Sequence, residues 1–126
     1  MKPNEEDINF KSLVEIAGGD EAFIREMLIL FCEKSESLMK ELNIFYQEDD
    51  FIQVSSLAHK LKSSIQIVAQ KELHTLVKKI EKEAKSAKDK HAIKEIIDQL
   101  NESMAQLIKA IEKRLENPKK FTRPTA

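Results

Sequence analysis

His59 stands in the stretch SSLAHKLKSSIQ, residues 55–66, inside an amphipathic pattern. Advancing about 100° per residue from Val54, the apolar residues Val54, Leu57, Ala58, Leu61, Ile65 and Val68 gather on one side, and His59 falls near about 140° from it. Ser55, Lys62, Ser63 and Gln66 lie within about 60° of the histidine, one turn before it and one to two turns after it. The imidazole is thus expected to face water from the middle of a helix, with a small residue one turn away on either side. Those small borders leave room for another protein's surface to approach the ring. Lys62 can set its ammonium where a negative group attached to His59 would lie. Ile52, near about 160° on the same wheel, is apolar on that face and is placed to help dock a partner. A histidine on a wet helix face is ordinarily only a surface residue; the small flanks and the cation three positions on set this one apart.

The other reactive residue types carry less. His74 and His91 have no histidine or cysteine one helical turn away, so no zinc-type spacing occurs and no metal site is expected. His74 falls near about 200° on the running wheel and reads as a solvated residue, and His91 sits in the first turn of a helix. Cys32 is the single cysteine, which excludes an internal disulfide; within its apolar helical pattern it reads as core packing. VKKIEKEAKSAKDK alternates charge, the pattern of a solvated face laced with ion pairs one turn apart. With 21 basic against 22 acidic residues, no global field draws the chain to nucleic acid. The stretch MKPNEEDINF lacks the apolar run of a signal peptide, and no window approaches the roughly 20 apolar residues of a membrane span. The expected place is the cytoplasm.

The elements that must position His59 read as long helices. Two glycines, three prolines and 34% charged residues argue for helix over sheet. Asn4 is a candidate cap for a short first helix over residues 5–17, which Gly18 and Gly19 end. Asp20 caps a second helix running to about Gln47, with Phe23, Ile24, Met27, Leu28, Phe31, Leu38, Leu42 and Phe45 at helical spacing. Asp50 with Gln53 resembles a capping box for a third helix. From Phe51 to about Ala87 there is no glycine or proline, yet the stripe formed by Leu73, Leu76, Val77, Ile80 and Ala84 is rotated by about 90° from that of Val54 to Val68. One straight helix cannot bury both, so a tight break is expected between Val68 and Lys71. Ser86 or Asp89 caps the last helix, whose seam is Ile93, Ile97, Leu100, Met104, Leu107 and Ile111 and which Asn117-Pro118 stops. The expected architecture is all-α: an antiparallel up-down-up-down four-helix bundle with a short N-terminal accessory helix, over residues 1–117, then a tail at 118–126 with little to bury.

AHKLKSS resembles the phosphoacceptor motif of histidine phosphotransfer (HPt) domains, whose usual form is His-x-Leu-Lys-Gly-Ser. Ala69, Leu73, Leu76, Ile80 and Glu81 stand where that family has its following helix, and LVEIAGGDEAFIREMLILF resembles its Gly-x-Asp helix start. The likeness spans roughly residues 8 to 115 and implies the same bundle. Two residues depart from it: Ser63 stands where glycine is usual, and Val68 replaces a frequent glycine near the end of the third helix.

The resemblance implies a phosphorelay intermediate that accepts a phosphoryl group on His59 from an aspartyl-phosphate receiver domain and passes it to another receiver. Its partners would be response-regulator receivers and a hybrid sensor histidine kinase. The chain would act as a monomeric carrier without kinase machinery or a cofactor of its own, the magnesium being held by the receiver. A neutral imidazole is nucleophilic near pH 7, and such transfers depend on positioning and charge stabilisation. Lys62 would neutralise the phosphoryl oxygens, Ser55, Ser63 and Gln66 would shape the site, and Glu81 would support it from the next helix. A histidine-kinase dimerisation hairpin fits poorly, because Lys60 rather than an acidic residue follows the histidine and no proline comes soon after. The alternative from another class is a helical adaptor of the same fold that carries no phosphate.

Overall fold

Capping residues divide the chain where the sequence pattern places the breaks. The computed structural model describes residues 11–68 and 71–116. They form α1 (Lys11–Ala17), α2 (Glu21–Gln47), α3 (Phe51–Ile65), a 3-10 turn (Gln66–Val68), α4 (Lys71–Ser86) and α5 (Lys90–Glu116), with no strand among the described residues. Gly18 and Gly19 both take positive φ, 62° and 81°, the left-handed conformation that ends α1 at no steric cost. The Asp20 carboxylate then accepts the Phe23 N–H at 3.2 Å, Asp50 accepts that of Gln53 at 3.2 Å, and Asp89 accepts that of Ala92 at 3.1 Å. Each satisfies an amide that the first helical turn leaves without a partner. Asp89, not Ser86, therefore caps α5; Ser86 closes α4 by donating its hydroxyl to the Glu83 carbonyl. Asn4, the first helix before Lys11, Ala69, the stop at Asn117-Pro118 and the tail lie outside the described residues.

One apolar core runs through the bundle. Every member of the α3 stripe from Val54 to Val68 is buried, as are Leu73, Val77, Ile80 and Ala84 of α4 and all six seam residues of α5. The quarter-turn rotation of the stripe is absorbed by the 3-10 turn, and Val68 itself is fully buried. α2 contributes Ile24, Leu28, Phe31, Leu38 and Leu42, whereas Phe23 is 38% exposed because it sits at the rim of the first turn.

Helix directions follow from contacts and link lengths. Arg25 bonds the Leu115 carbonyl at 2.7 Å, Asn43 pairs with Asn101 at 2.9 Å, and the Tyr46 hydroxyl donates to the Lys90 carbonyl at 3.1 Å. Positions rising along α2 thus meet positions falling along α5, so the two run antiparallel. The links at 48–50 and 87–89 have three residues each and reach about 10 Å, far less than the about 24 Å length of α4. Packed neighbours joined this way must reverse direction. α3 and α4 form the tightest hairpin: Ser55, ten residues before the end of α3, meets Glu81, ten residues after the start of α4. α1 packs on α2 and on the 3-10 turn.

Candidate functional site

α3 carries His59 on its exposed face and holds it there by burying Ala58 and Leu61 beside it; the imidazole keeps 61% of its surface in solvent. The ring is nevertheless oriented. Its Nδ1 lies 2.9 Å from Glu81 Oε2, while Lys62 Nζ lies 3.0 Å from Glu81 Oε1. One carboxylate, 16% exposed in the groove between α3 and α4, therefore grips both residues. A carboxylate only accepts, so Nδ1 bears a proton, and in the neutral ring the lone pair is left on Nε2. That nitrogen has no protein partner among the described residues. Lys62 holds the Glu81 carboxyl below the usual 4.5 of a glutamate, with the His59 hydrogen bond adding to the effect and burial working against it.

The arrangement puts Glu81, which the family resemblance sets in the following helix, in direct contact with both His59 and Lys62. It supports the site from α4, and it is the group on which the other two converge, so the ion pairs expected along α4 give way to it. Glu81 turns to α3 and not to Lys85 one turn on, and Lys78, Lys79, Lys82 and Lys85 are in no ion pair among the described residues. Ser55 also differs from expectation. It is 5% exposed, and its hydroxyl donates to the Glu81 main-chain carbonyl at 3.1 Å, so it fastens α4 to α3 from beneath and does not border the ring on the wet face. The offset of minus four turns its short side chain toward the α4 flank. Ser63 and Gln66 are exposed on the His59 side of α3, and Ile52 is 81% exposed. His74 is half-buried, not solvated as its wheel position suggests, and His91 is exposed beside Glu95.

Elsewhere the residues with reactive potential stay apart. No group of three or more histidine, cysteine or carboxylate side chains able to hold a metal exists among the described residues. Cys32 is buried, and its thiol is pushed up to about 12, by burial first and then by Glu112, Glu36 and Glu33. It remains protonated at neutral pH and inert as a nucleophile. No helix among the described residues is long and apolar enough to cross a membrane.

An exposed, oriented imidazole beside a lysine, on a helical hairpin within a bundle, is the arrangement that the histidine motif implies. The profile of the Hpt domain family matches residues 26–113. The chain belongs to the Hpt domain family. No curated protein and no solved structure matches it. The matched span contains His59, Lys62 and Glu81 and nearly all of the four long helices. Hpt domains are phosphocarriers of two-component signalling, working with receiver domains and kinases, and membership gives this chain a phosphotransfer role.

Proposed function

We propose that His59 is the phosphoacceptor and that the protein relays a phosphoryl group between receiver domains, taking it from an aspartyl phosphate and returning it to another receiver aspartate. The observation that carries this reading is the bond from Nδ1 to Glu81, because it leaves Nε2 as the free nucleophilic atom on the solvent side. In the forward step a bond forms between Nε2 and phosphorus while the bond from phosphorus to the aspartyl oxygen breaks, and the partner's carboxylate departs with the electron pair. The ring gains positive charge as its lone pair is used, and the Glu81 carboxylate across the Nδ1 proton stabilises that charge. Lys62 lies on the same carboxylate and needs only to swing its flexible stem to meet the incoming phosphoryl oxygens. Ser63 adds a small hydroxyl next to the ring, in place of the usual glycine, and keeps the approach open. The magnesium ion belongs to the receiver in this reading, and the carrier acts as a cytoplasmic monomer with no kinase step of its own.

The test is uptake from phosphorylated receiver domains, followed by mass spectrometry. Wild-type protein is expected to carry one phosphoryl group on His59, and His59→Ala to carry none while its helical circular dichroism is unchanged. Label on the alanine variant would overturn the assignment. A wild-type protein that binds receivers yet never becomes labelled would instead establish the non-phosphorylated adaptor of the same fold.

A further inference from the structure

The near-neutral total conceals an uneven distribution of charge. Residues 51–86, which build α3 and α4, contain seven lysines against three glutamates, whereas residues 21–50 contain eight carboxylates against three basic residues. Within α4 the signs are also sorted by side. Counting about 100° per residue, Lys78 and Lys85 fall within about 60° of Glu81 and Lys82 about 100° from it, while Glu72 and Glu83 fall about 160–180° away. Lys78 and Lys85 are one turn on either side of Glu81, the spacing of surface neighbours. Since Glu81 touches His59, Lys78 and Lys85 flank the residue that reaches the acceptor, and Lys82 continues the same side of α4. All three are exposed and in no ion pair among the described residues, and the carboxylate one turn from Lys78 and Lys85 is committed to His59 and Lys62.

We propose that Lys78, Lys82 and Lys85 form an electrostatic docking strip on α4 for the anionic rim of the receiver that delivers the phosphoryl group. This rests on the relay reading of His59. A donor of that chemistry must arrive negatively charged, since an acyl phosphate brings a dianionic group and its magnesium is held by further carboxylates. Opposite charge on the carrier steers such an encounter and fixes which flank of the donor lies over α4. The strip acts on association and not on bond making, because the lysine beside the ring, Lys62, is on α3.

The experiment compares two triple variants that remove equal charge: Lys78→Gln, Lys82→Gln and Lys85→Gln on the strip, and Lys34→Gln, Lys40→Gln and Lys109→Gln on α2 and α5. Transfer from a phosphorylated receiver domain is followed across donor and salt concentrations. The strip variant is expected to lose about tenfold in kcat/KM at low salt, with a flattened salt dependence, while its rate at saturating donor changes by less than about twofold. The control triple should match wild type. Equal kcat/KM and equal salt slope for strip variant and wild type would overturn the strip and leave His59 as acceptor. An equal loss in the control triple would reduce the effect to net charge and overturn it also. Retention on duplex DNA that the strip variant loses, with transfer unaffected, would assign the lysines to nucleic acid instead. Wild-type protein that takes up no phosphoryl group at all would remove the relay reading and the strip together.

Discussion

Glu81 does two things at once: it holds the tautomer of His59 and keeps Lys62 within reach of the ring. Replacing it with glutamine retains the shape but removes the charge that would answer the imidazolium developing in the proposed transfer. Glu81→Gln is expected to slow transfer by about tenfold or more, on the scale of a charge-assisted hydrogen bond, read as a single-turnover rate with saturating phosphorylated receiver. The same substitution has a stability signature. The Glu81 carboxyl is held below 4.5 in the folded protein, so its contribution is fully present above the unfolded value and is lost as pH falls through the lowered folded value. Wild type should therefore exceed Glu81→Gln in urea midpoint at pH 7, and the gap should begin to close as pH falls below the ordinary glutamate value of 4.5 and vanish below the lowered folded value. A gap that persists undiminished in acid would mean that shape, not charge, makes the difference.

At the scale of elements, the α3–α4 hairpin is shaped by Val68, which stands where a turn glycine is common in the family. The chain does not need glycine there, because the 3-10 turn uses ordinary right-handed backbone and Val68 plugs the core at zero exposure. Val68→Gly should cost about 2–4 kcal/mol, combining the lost burial of a valine side chain with added backbone freedom, measured by urea unfolding. A neutral or stabilising result would mean that the turn is strained by valine. This hairpin also marks the limit of what the sequence makes legible. Helix ends at Asp20, Asp50 and Asp89 and the rotated stripe after Val68 are local signals, encoded within a few residues of where they act. The depth of Ser55, the half-burial of His74 and the turn of Glu81 away from Lys85 depend on how α4 lies against α3, and a single-helix wheel contains nothing about its neighbour. Ala87, with φ of 48°, ends α4 in a conformation usually left to glycine, so the break is announced by the capping residues around it and not by a glycine.

For the whole molecule, the ring of helices closes where α5 returns to α2, and that seam is held differently from the rest. A groove there is lined by Met39, Met104 and Ile108 with Glu36 and Glu112 at its sides, so apolar packing alone is thinner than in the α3–α4 hairpin. Across it Asn43 and Asn101 exchange two hydrogen bonds, each 2.9 Å, and Asn43 also reaches the Met39 carbonyl at 2.7 Å. Two half-buried amides that satisfy each other set the axial register of α5 on α2, since sliding by one turn would strip Asn101 of its partner and leave Asn43 with the Met39 carbonyl alone. Removing one is therefore worse than removing both. Asn43→Leu or Asn101→Leu alone should cost about 1–3 kcal/mol, the penalty of a half-buried amide left unpaired, whereas the double leucine variant should recover most of that loss by burying apolar surface. The double-mutant cycle read from urea unfolding then gives a coupling of about 1 kcal/mol or more. Strictly additive losses would show that the amides are bystanders and that the bundle is closed by its aliphatic layers alone.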